Sequence, residues 1–417
     1  MSNFRINIYL SLINFFKSFI NPDFEEKKIE VLIKKNSQKK YFTLTSQLRV
    51  SFLILLKYLK KKFPYKNEIV FQPFNLPEMI NIAIKNKYNI KFKKLNTRTA
   101  QPDIEHLNSI INKKTLAIVV TNIFISPNSI ILLKNFCKKK KILLIEDNAI
   151  YFDNFFIQNK KKKFSGSFGD YTLYSFNIMK NISSFFGGGI ATNDNKFFLF
   201  AKEELLKYKN FHNSILFKQI IIFFILKILK LKFFYYFFLK MLKYAHSKKI
   251  HTILKIVYPS LKFKKISFPK FYFTKISTLS KKTTLYQLQN LKVRKQNHSI
   301  RKNKNILYSK IFKNLKIKEV KLFAIDNYDF QNFMDFPIIV EKKDKLNDYL
   351  LLNGIETKYI FYHDCAKIFN LKLKKEILSN SSFFSDKVIG LPNHKNISQN
   401  YMKKIGRKVQ EFYENYQ

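Results

Sequence analysis

LAIVVTNIFISPNSIILLKNFCKKKKILLIE, residues 116–146, decides the fold. Residues 116–121 are a continuous apolar run of strand length, and 142–146 are another. Between them 127–140 has helical length and opens on Pro127, whose fixed φ suits the first turn of a helix. Strand, helix and strand in roughly thirty residues make a βαβ unit. Its two strands must lie parallel, and their fully apolar character says that both faces are covered.

The alternation extends outward. Upstream stand a helix at 51–62 (SFLILLKYLKKK), a strand at 68–72 (EIVFQ) and a helix at 77–87 (PEMINIAIKNK) opened by Pro77. A short strand at 90–95 follows, and then a short helix opened by Pro102 with Asp103 and Glu105 in its first turn. Downstream, 171–176 (YTLYSF) reads as a further strand. The pattern predicts an α/β chain with a large domain over 41–204, built on a mostly parallel sheet covered by helices. Residues 1–40 read as an N-terminal arm or first helix without a small-residue cleavage site, hence not as a signal peptide. Residues 205–263 read as an apolar helical insertion. Residues 264–417 read as a connecting polar helix from about 281 and a smaller α+β domain. That domain is expected to hold strand 337–341, helix 344–353 closed by Gly354, and strand 355–361.

Composition bounds the function. The 417 residues include 77 Lys+Arg against 28 Asp+Glu, a formal net charge of +49. A hydrophobic content of 46% and 17% aromatics exclude a disordered chain in spite of that charge. Two cysteines, Cys137 and Cys365, exclude a disulfide scaffold and a multi-cysteine metal cluster and fit a reducing, cytoplasmic compartment. His363 and His394 have no metal-ligand spacing, so no metal is expected. The charge is nearly all lysine, and the abundant residues (Lys, Asn, Ile, Phe, Tyr) are those with A/T-rich codons. Base-composition drift explains it without a nucleic-acid partner, because the lysines are scattered rather than confined to one stripe. The segment 220–244 (IIIFFILKILKLKFFYYFFLKMLKY) is too interrupted by lysines to span a bilayer. Lys218, Lys232, Lys240 and Lys243 share one helical face and Lys227 and Lys230 another, which predicts a bend or two helices near 230. Such a segment can lie peripherally in the inner membrane interface, or be buried against its own domain or a dimer partner.

The chemistry is concentrated elsewhere. Of eight glycines, five fall between 166 and 189, where the backbone must turn tightly or be approached closely. Around them read IEDNAIYFDNFF (145–156) and SGSFGDYTLYSFNIMKNISSFFGGGIATND (165–194). Asp147 follows a strand, Ser175 ends another, and Lys180 stands in the loop before the glycines. A carboxylate, a hydroxyl and one lysine at strand ends match what pyridoxal 5'-phosphate requires. The lysine joins its aldehyde, the carboxylate keeps its ring nitrogen protonated, and the hydroxyl binds its phosphate.

These motifs resemble the DegT/StrS-type nucleotide-sugar aminotransferases, fold-type-I pyridoxal-phosphate enzymes. Glu146-Asp147, Gly166-Ser167, Gly169-Asp170, Ser175-Phe176, Lys180-Asn181, Gly187-Gly188 and Thr192-Asn193-Asp194 match that family's pattern in order and spacing. VFQPFNLPEMINIAI (70–84), YQLQNL (286–291), GIETKYIFY (354–362) and LPNHKNIS (391–398) resemble its flanking segments. The resemblance implies Lys180 as the lysine that binds the cofactor and shuttles the proton, with Asp147 on the ring nitrogen. It implies Ser175, Ser46 and Arg49 on the phosphate, the latter two in TSQLR before helix 51–62, and Phe74 as the aromatic over the ring. It further implies a homodimer that moves an amino group from a donor such as glutamate to a nucleotide-linked keto-sugar, in surface-polysaccharide precursor synthesis. Retention of Lys180 separates the chain from related dehydratases, which carry histidine there. TSQLR lacks the glycine usual in that loop, and Ile150 stands where His or Gln is usual. Those departures leave open a degenerate member that serves as a membrane-associated or regulatory binding protein.

Overall fold

The computed structural model describes residues 3–20, 25–248, 250, 273–359, 362–371 and 373–415. Its centre is a seven-stranded sheet of β1 (Tyr41–Thr45), β2 (Glu68–Phe71), β4 (Asn89–Phe92), β5 (Thr115–Thr121), β6 (Leu143–Asp147), β9 (Tyr171–Ser175) and β10 (Gly188–Thr192). The order across it is β1-β10-β9-β6-β5-β2-β4, and β10 alone runs against its neighbours. Strand β3 (Phe74–Asn75) pairs instead with β13 (His363–Asp364), and β7 (Phe155–Gln158) with β8 (Lys161–Phe164). The mostly parallel sheet read from 116–146 is therefore present.

The helices follow from local chemistry. They are α1 (Leu12–Ile20), α2 (Glu26–Ser37), α3 (Leu48–Lys62), α4 (Pro77–Lys85), α5 (Ile104–Ile110), α6 (Pro127–Lys140) and α7 (Asn195–Leu206). Ser126 caps α6 by accepting from the Ser129 N–H, with Pro127 in the first turn and lysines at the negative end. Asp103 and Asp194 cap α5 and α7 in the same way. Every residue of β2 and β5 is buried, which is why these strands read as unbroken apolar runs.

Beyond α7 come α8 (Asn213–Ile228) and α9 (Lys232–Ser247), so the break falls where the lysine pattern placed it. Residues 249 and 251–263 of the expected insertion lie outside the described residues. The polar segment after 264 is two helices, α10 (Thr278–Gln289) and α11 (Leu291–Leu315), because the Asn290 side chain accepts from the Val293 N–H and starts a new helix. The C-terminal part holds a three-stranded antiparallel sheet of β11 (Val320–Leu322), β12 (Asp335–Val340) and β14 (Val388–Pro392). Around it lie α12 (Lys343–Leu352), α13 (Cys365–Ile368), α14 (Lys375–Lys387) and α15 (Gln399–Asn415). Ile118, Val120 and Leu144 of the large sheet belong to the same packed cluster as Phe336, Ile338 and Ile389, so one core runs through both parts.

One expectation is corrected here. Residues 355–359 are not a strand: Gly354 (φ +78°) turns the chain, and only Lys358 bridges to Gly390. The lysine run at 160–163 lies largely in strand β8, turned from β7 by Asn159 and Lys160 at positive φ.

Glu146 ties the sheet to the first glycine turn. Its wholly buried carboxylate accepts from Asn122 Nδ2 (2.8 Å) and from the N–H groups of Gly166 (2.6 Å), Phe168 (3.1 Å) and Gly169 (3.1 Å). Gly166 is at φ +93°, a region that a side chain would strain. Glu146→Gln turns an amide N–H₂ toward these donors. It should cost about 2–4 kcal/mol in urea unfolding and raise amide exchange at 166–169. A loss within about 0.5 kcal/mol would show that the turn holds itself.

Candidate active site

The carboxyl ends of β5, β6 and β9 meet at one place. Asp147 ends β6 opposite Thr121 of β5, is 1% exposed, and accepts from the Ala149 N–H at 3.2 Å. Burial pushes its carboxyl up to about 6, while the Lys180 ammonium and the Ala149 N–H pull the other way.

Lys180 stands in the loop between β9 and β10. The loop is held by Asn181, whose Nδ2 donates to the Ile150 (3.1 Å) and Phe152 (3.0 Å) carbonyls and whose Oδ1 accepts from Arg301 at 3.0 Å. The Lys180 side chain lines a cavity of about 1020 Å³. Among the described residues its Nζ makes no hydrogen bond and no ion pair. Burial, then the Lys358 charge, push its amine down to about 8; Asp147 opposes that, and Arg49 and Asp335 act more weakly in opposite senses.

The register of three strands builds the other end of the site. Thr45 pairs with Gly188, and Gly188 pairs with Ser175, so Ser46 and Ser175 flank one glycine. A Cβ on Gly188 would lie 2.2 Å from the Leu48 nitrogen and 2.5 Å from the Gln47 carbonyl carbon. Only glycine lets the first turn of α3 rest on β10. Gln47 precedes α3 without a side-chain cap bond, leaving N–H donors at the positive end of that helix. The Ser46 Oγ and both polar atoms of the Gln47 amide are buried with no hydrogen-bond partner among the described residues. Arg49, in the first turn, lies 3.5 Å from Glu78 and within the electrostatic reach of Lys180. An unbonded amine, a buried carboxylate and an orphaned hydroxyl at a helix N-terminus fit pyridoxal 5'-phosphate.

Phe74 is placed differently. It is 1% exposed in an aromatic stack with Phe124 (6.4 Å between centroids, 6° between planes) and Phe384 (5.7 Å, 30°); of the residues singled out from the sequence Lys180 lines the cavity, whereas Phe74, Asp147, Ser175, Ser46 and Arg49 do not. The β3–β13 pairing holds it there. Ile150 does line the cavity.

Several cavity residues were not singled out as site residues from the sequence. Lys358 and Asp335 form an ion pair at 3.1 Å on its wall, near Glu356, whose carboxyl burial pushes up. His394 donates its Nε2–H to the Phe4 carbonyl (2.9 Å) and is pushed down to about 4 by burial. Glu356, Lys358 and His394 fall inside the two C-terminal segments already quoted, which is the signal that could have found them. Phe4, Arg5, Ile6, Asn7 and Tyr9 of the N-terminal arm also line the cavity, and nothing in their local sequence marks them.

Comparison with known proteins agrees with this geometry. The model of the DegT/DnrJ/EryC1/StrS aminotransferase family matches residues 25–212 and 272–410. GDP-perosamine synthase of Vibrio cholerae is 28% identical over 127 residues, 30% of this chain and 34% of that protein. The UDP-4-amino-4,6-dideoxy-N-acetyl-beta-L-altrosamine transaminase of Helicobacter pylori is 26% identical over 154 residues, 36% of this chain and 40% of that protein. The chain thus matches well under half the length of these curated relatives. The PLP-form of the sugar aminotransferase Spr1654 from Streptococcus pneumoniae superposes with a TM-score of 0.69 at 12% identity, over 100% of this chain and 99% of that one.

The raised Asp147 carboxyl has a thermodynamic sign. Its folded value, about 6, exceeds the ordinary 3.8, so the stability it contributes is complete below pH 3.8 and lost as pH rises through 6. At neutral pH the charged form is a burden on the cofactor-free fold. Asp147→Asn should therefore raise the stability of cofactor-free protein at pH 7.5 by about 1–3 kcal/mol, a gain that shrinks below pH 6. A destabilised variant in thermal melts at pH 7.5 would contradict this.

Proposed function

Because the chain belongs to the DegT/DnrJ/EryC1/StrS aminotransferase family, as its match over 25–212 and 272–410 shows, we propose that it is a pyridoxal-phosphate-dependent aminotransferase. Its acceptor is a nucleotide-linked keto-sugar in surface-polysaccharide precursor synthesis. The observation that carries this reading is the Lys180 amine, on the cavity wall and without a hydrogen bond or ion pair among the described residues, acting electrostatically on the buried Asp147 carboxylate.

When bound, pyridoxal 5'-phosphate supplies an aldehyde for an amine and a ring that spreads the electron pair left by a departing proton. The chain's own groups do the rest. Lys180, with its amine lowered to about 8, is partly neutral near pH 7.5 and so can act as nucleophile and then as proton carrier. Asp147, shielded from water, sets a negative charge where the ring nitrogen must stay protonated. Ser46, Ser175, Arg49 and the N-terminal turn of α3 would hold the phosphate. The cavity wall carries Arg5, Lys218 and Lys358 together with the acids Glu356 and Asp335, and its cations suit a nucleotide diphosphate and the carboxylates of a glutamate-like donor.

The reading includes a homodimer, as the resemblance implies, and a cytoplasmic chain with residues 220–244 against the inner face of a membrane. Among the described residues no helix is long and apolar enough to cross one. The rival reading, a binding protein without activity, drew on Ile150 and the missing glycine in TSQLR. The orphaned Ser46 hydroxyl beside an uncapped helix end favours the enzyme, since it leaves donors waiting for an anion.

Purified protein mixed with pyridoxal 5'-phosphate should turn yellow, and borohydride should fix the pyridoxyl group to Lys180 in peptide mapping. Lys180→Ala should lose about 10³-fold or more in transfer. Attachment to a different lysine, or a colourless protein, sinks the proposal.

A further inference from the structure

Among the described residues, three helices leave apolar faces without a partner. Helix α1 packs inward through Phe15, 5.2 Å from Phe223 and 5.6 Å from Phe224 of α8, and 5.3 Å from Phe185 of the Lys180 loop. Its other face is bare: Ile13 is 68% exposed, Phe16 54%, Phe19 53% and Ile20 78%. Helix α8 exposes Phe217, Ile221, Ile225 and Ile228 beside it, and α9 exposes Phe233, Phe234 and Phe237. Contiguous apolar surface of this kind marks a contact with something apolar.

The charges say what that is. None of the three helices contains an Asp or Glu, while Lys17, Lys218, Lys232 and Lys240 are exposed along them. A second copy of this face would bring lysine against lysine. Anionic lipid headgroups over acyl chains meet both the apolar and the cationic requirement. Two further lysines of the hairpin are turned inward: Lys227 Nζ donates to the Leu10 carbonyl and Lys230 Nζ to Asn7 Oδ1 at 2.9 Å. At sixteen residues each, α8 and α9 suit lying in the interface rather than crossing it.

We propose that α1, α8 and α9 together form one docking face for an anionic lipid bilayer, and that docking there sets the wall of the catalytic cavity. The second half follows from continuity. Ile222, Ile225, Leu226 and Leu229 of α8 line the Lys180 cavity, and Ile225 is also half exposed on the outer face. The arm residues Phe4, Ile6 and Tyr9 line the same cavity and lead, through Leu10, directly into α1. Lipid that holds α1 and the hairpin therefore holds the arm across the substrate's entrance. This coupling rests on the aminotransferase reading; the docking does not.

The test uses the holoenzyme with vesicles of phosphatidylglycerol and phosphatidylcholine, against vesicles of phosphatidylcholine alone. Flotation is expected on the anionic vesicles only and should weaken in high salt. The double variant Phe16→Glu, Phe19→Glu should lose about tenfold or more of that binding. Borohydride attachment of cofactor at Lys180 certifies that the variant is folded. In the wild type, anionic vesicles should lower KM for the nucleotide sugar about threefold or more, and leave the variant's KM unchanged. Equal flotation on neutral vesicles, undiminished flotation of the variant, or a larger assembly that the variant dissociates would each overturn the docking. Flotation without any change in KM would overturn the coupling. If no cofactor attaches to Lys180 in either chain, the enzyme reading fails while flotation still decides the docking.

Discussion

The site depends on the bareness of β10. A Cβ on Gly189 would sit 2.2 Å from the Phe42 ring, and one on Gly188 would collide with the backbone of Gln47 and Leu48. With no side chains there, β1 and the first turn of α3 close onto the strand, and Thr45, Gly188 and Ser175 fall into one register. That contact brings a helix N-terminus, a buried serine and the end of β9 to a single point. The same strand fixes the far end of the loop that carries Lys180. In a chain with eight glycines, three consecutive ones are spent at this contact.

Burial then acts in opposite senses on the two ionisable groups of the candidate site. Lys180 and Asp147 are driven toward neutrality from opposite sides by the same loss of water, the amine down to about 8 and the carboxyl up to about 6. Each charge partly rescues the other. Lys358 and Arg49 tilt the balance by repelling a proton from Lys180, and Asp335 moderates Lys358 by pairing with it at 3.1 Å. A lysine thus becomes a usable base near neutral pH with no metal ligand cluster among the described residues.

Much of this was legible in the sequence because the signals are local. Apolar runs marked β2, β5 and β6, and prolines marked α4 and α6. The phase of the lysines marked the break between α8 and α9 and even sorted the buried Lys227 and Lys230 from the exposed ones. What escaped depends on distant pairing. Strand β8 (KKKF) carries no alternation that a reader could see, because β7 alone makes it a strand. Residues 355–359 look like a strand yet find one bridge instead of a ladder. Phe74 follows a proline in a suggestive segment, but its rank is set by Phe124 and Phe384, which lie far off in sequence. The arm contributes to the cavity through long-range bonds, from Lys227 and Lys230 to its carbonyl and side-chain oxygens and from His394 to the Phe4 carbonyl.

Those buried lysines also change what the formal charge means. Lys93, Lys180, Lys227, Lys230 and Lys343 are all pushed by burial to about 7 or 8. The folded chain therefore carries less than the +49 that its composition counts. Between about pH 7 and 10, where these amines are neutral inside and charged when released, unfolding must draw protons from the solvent. Folding is in this sense an act of acid release, and mildly alkaline water holds the structure together better than the lysine count suggests.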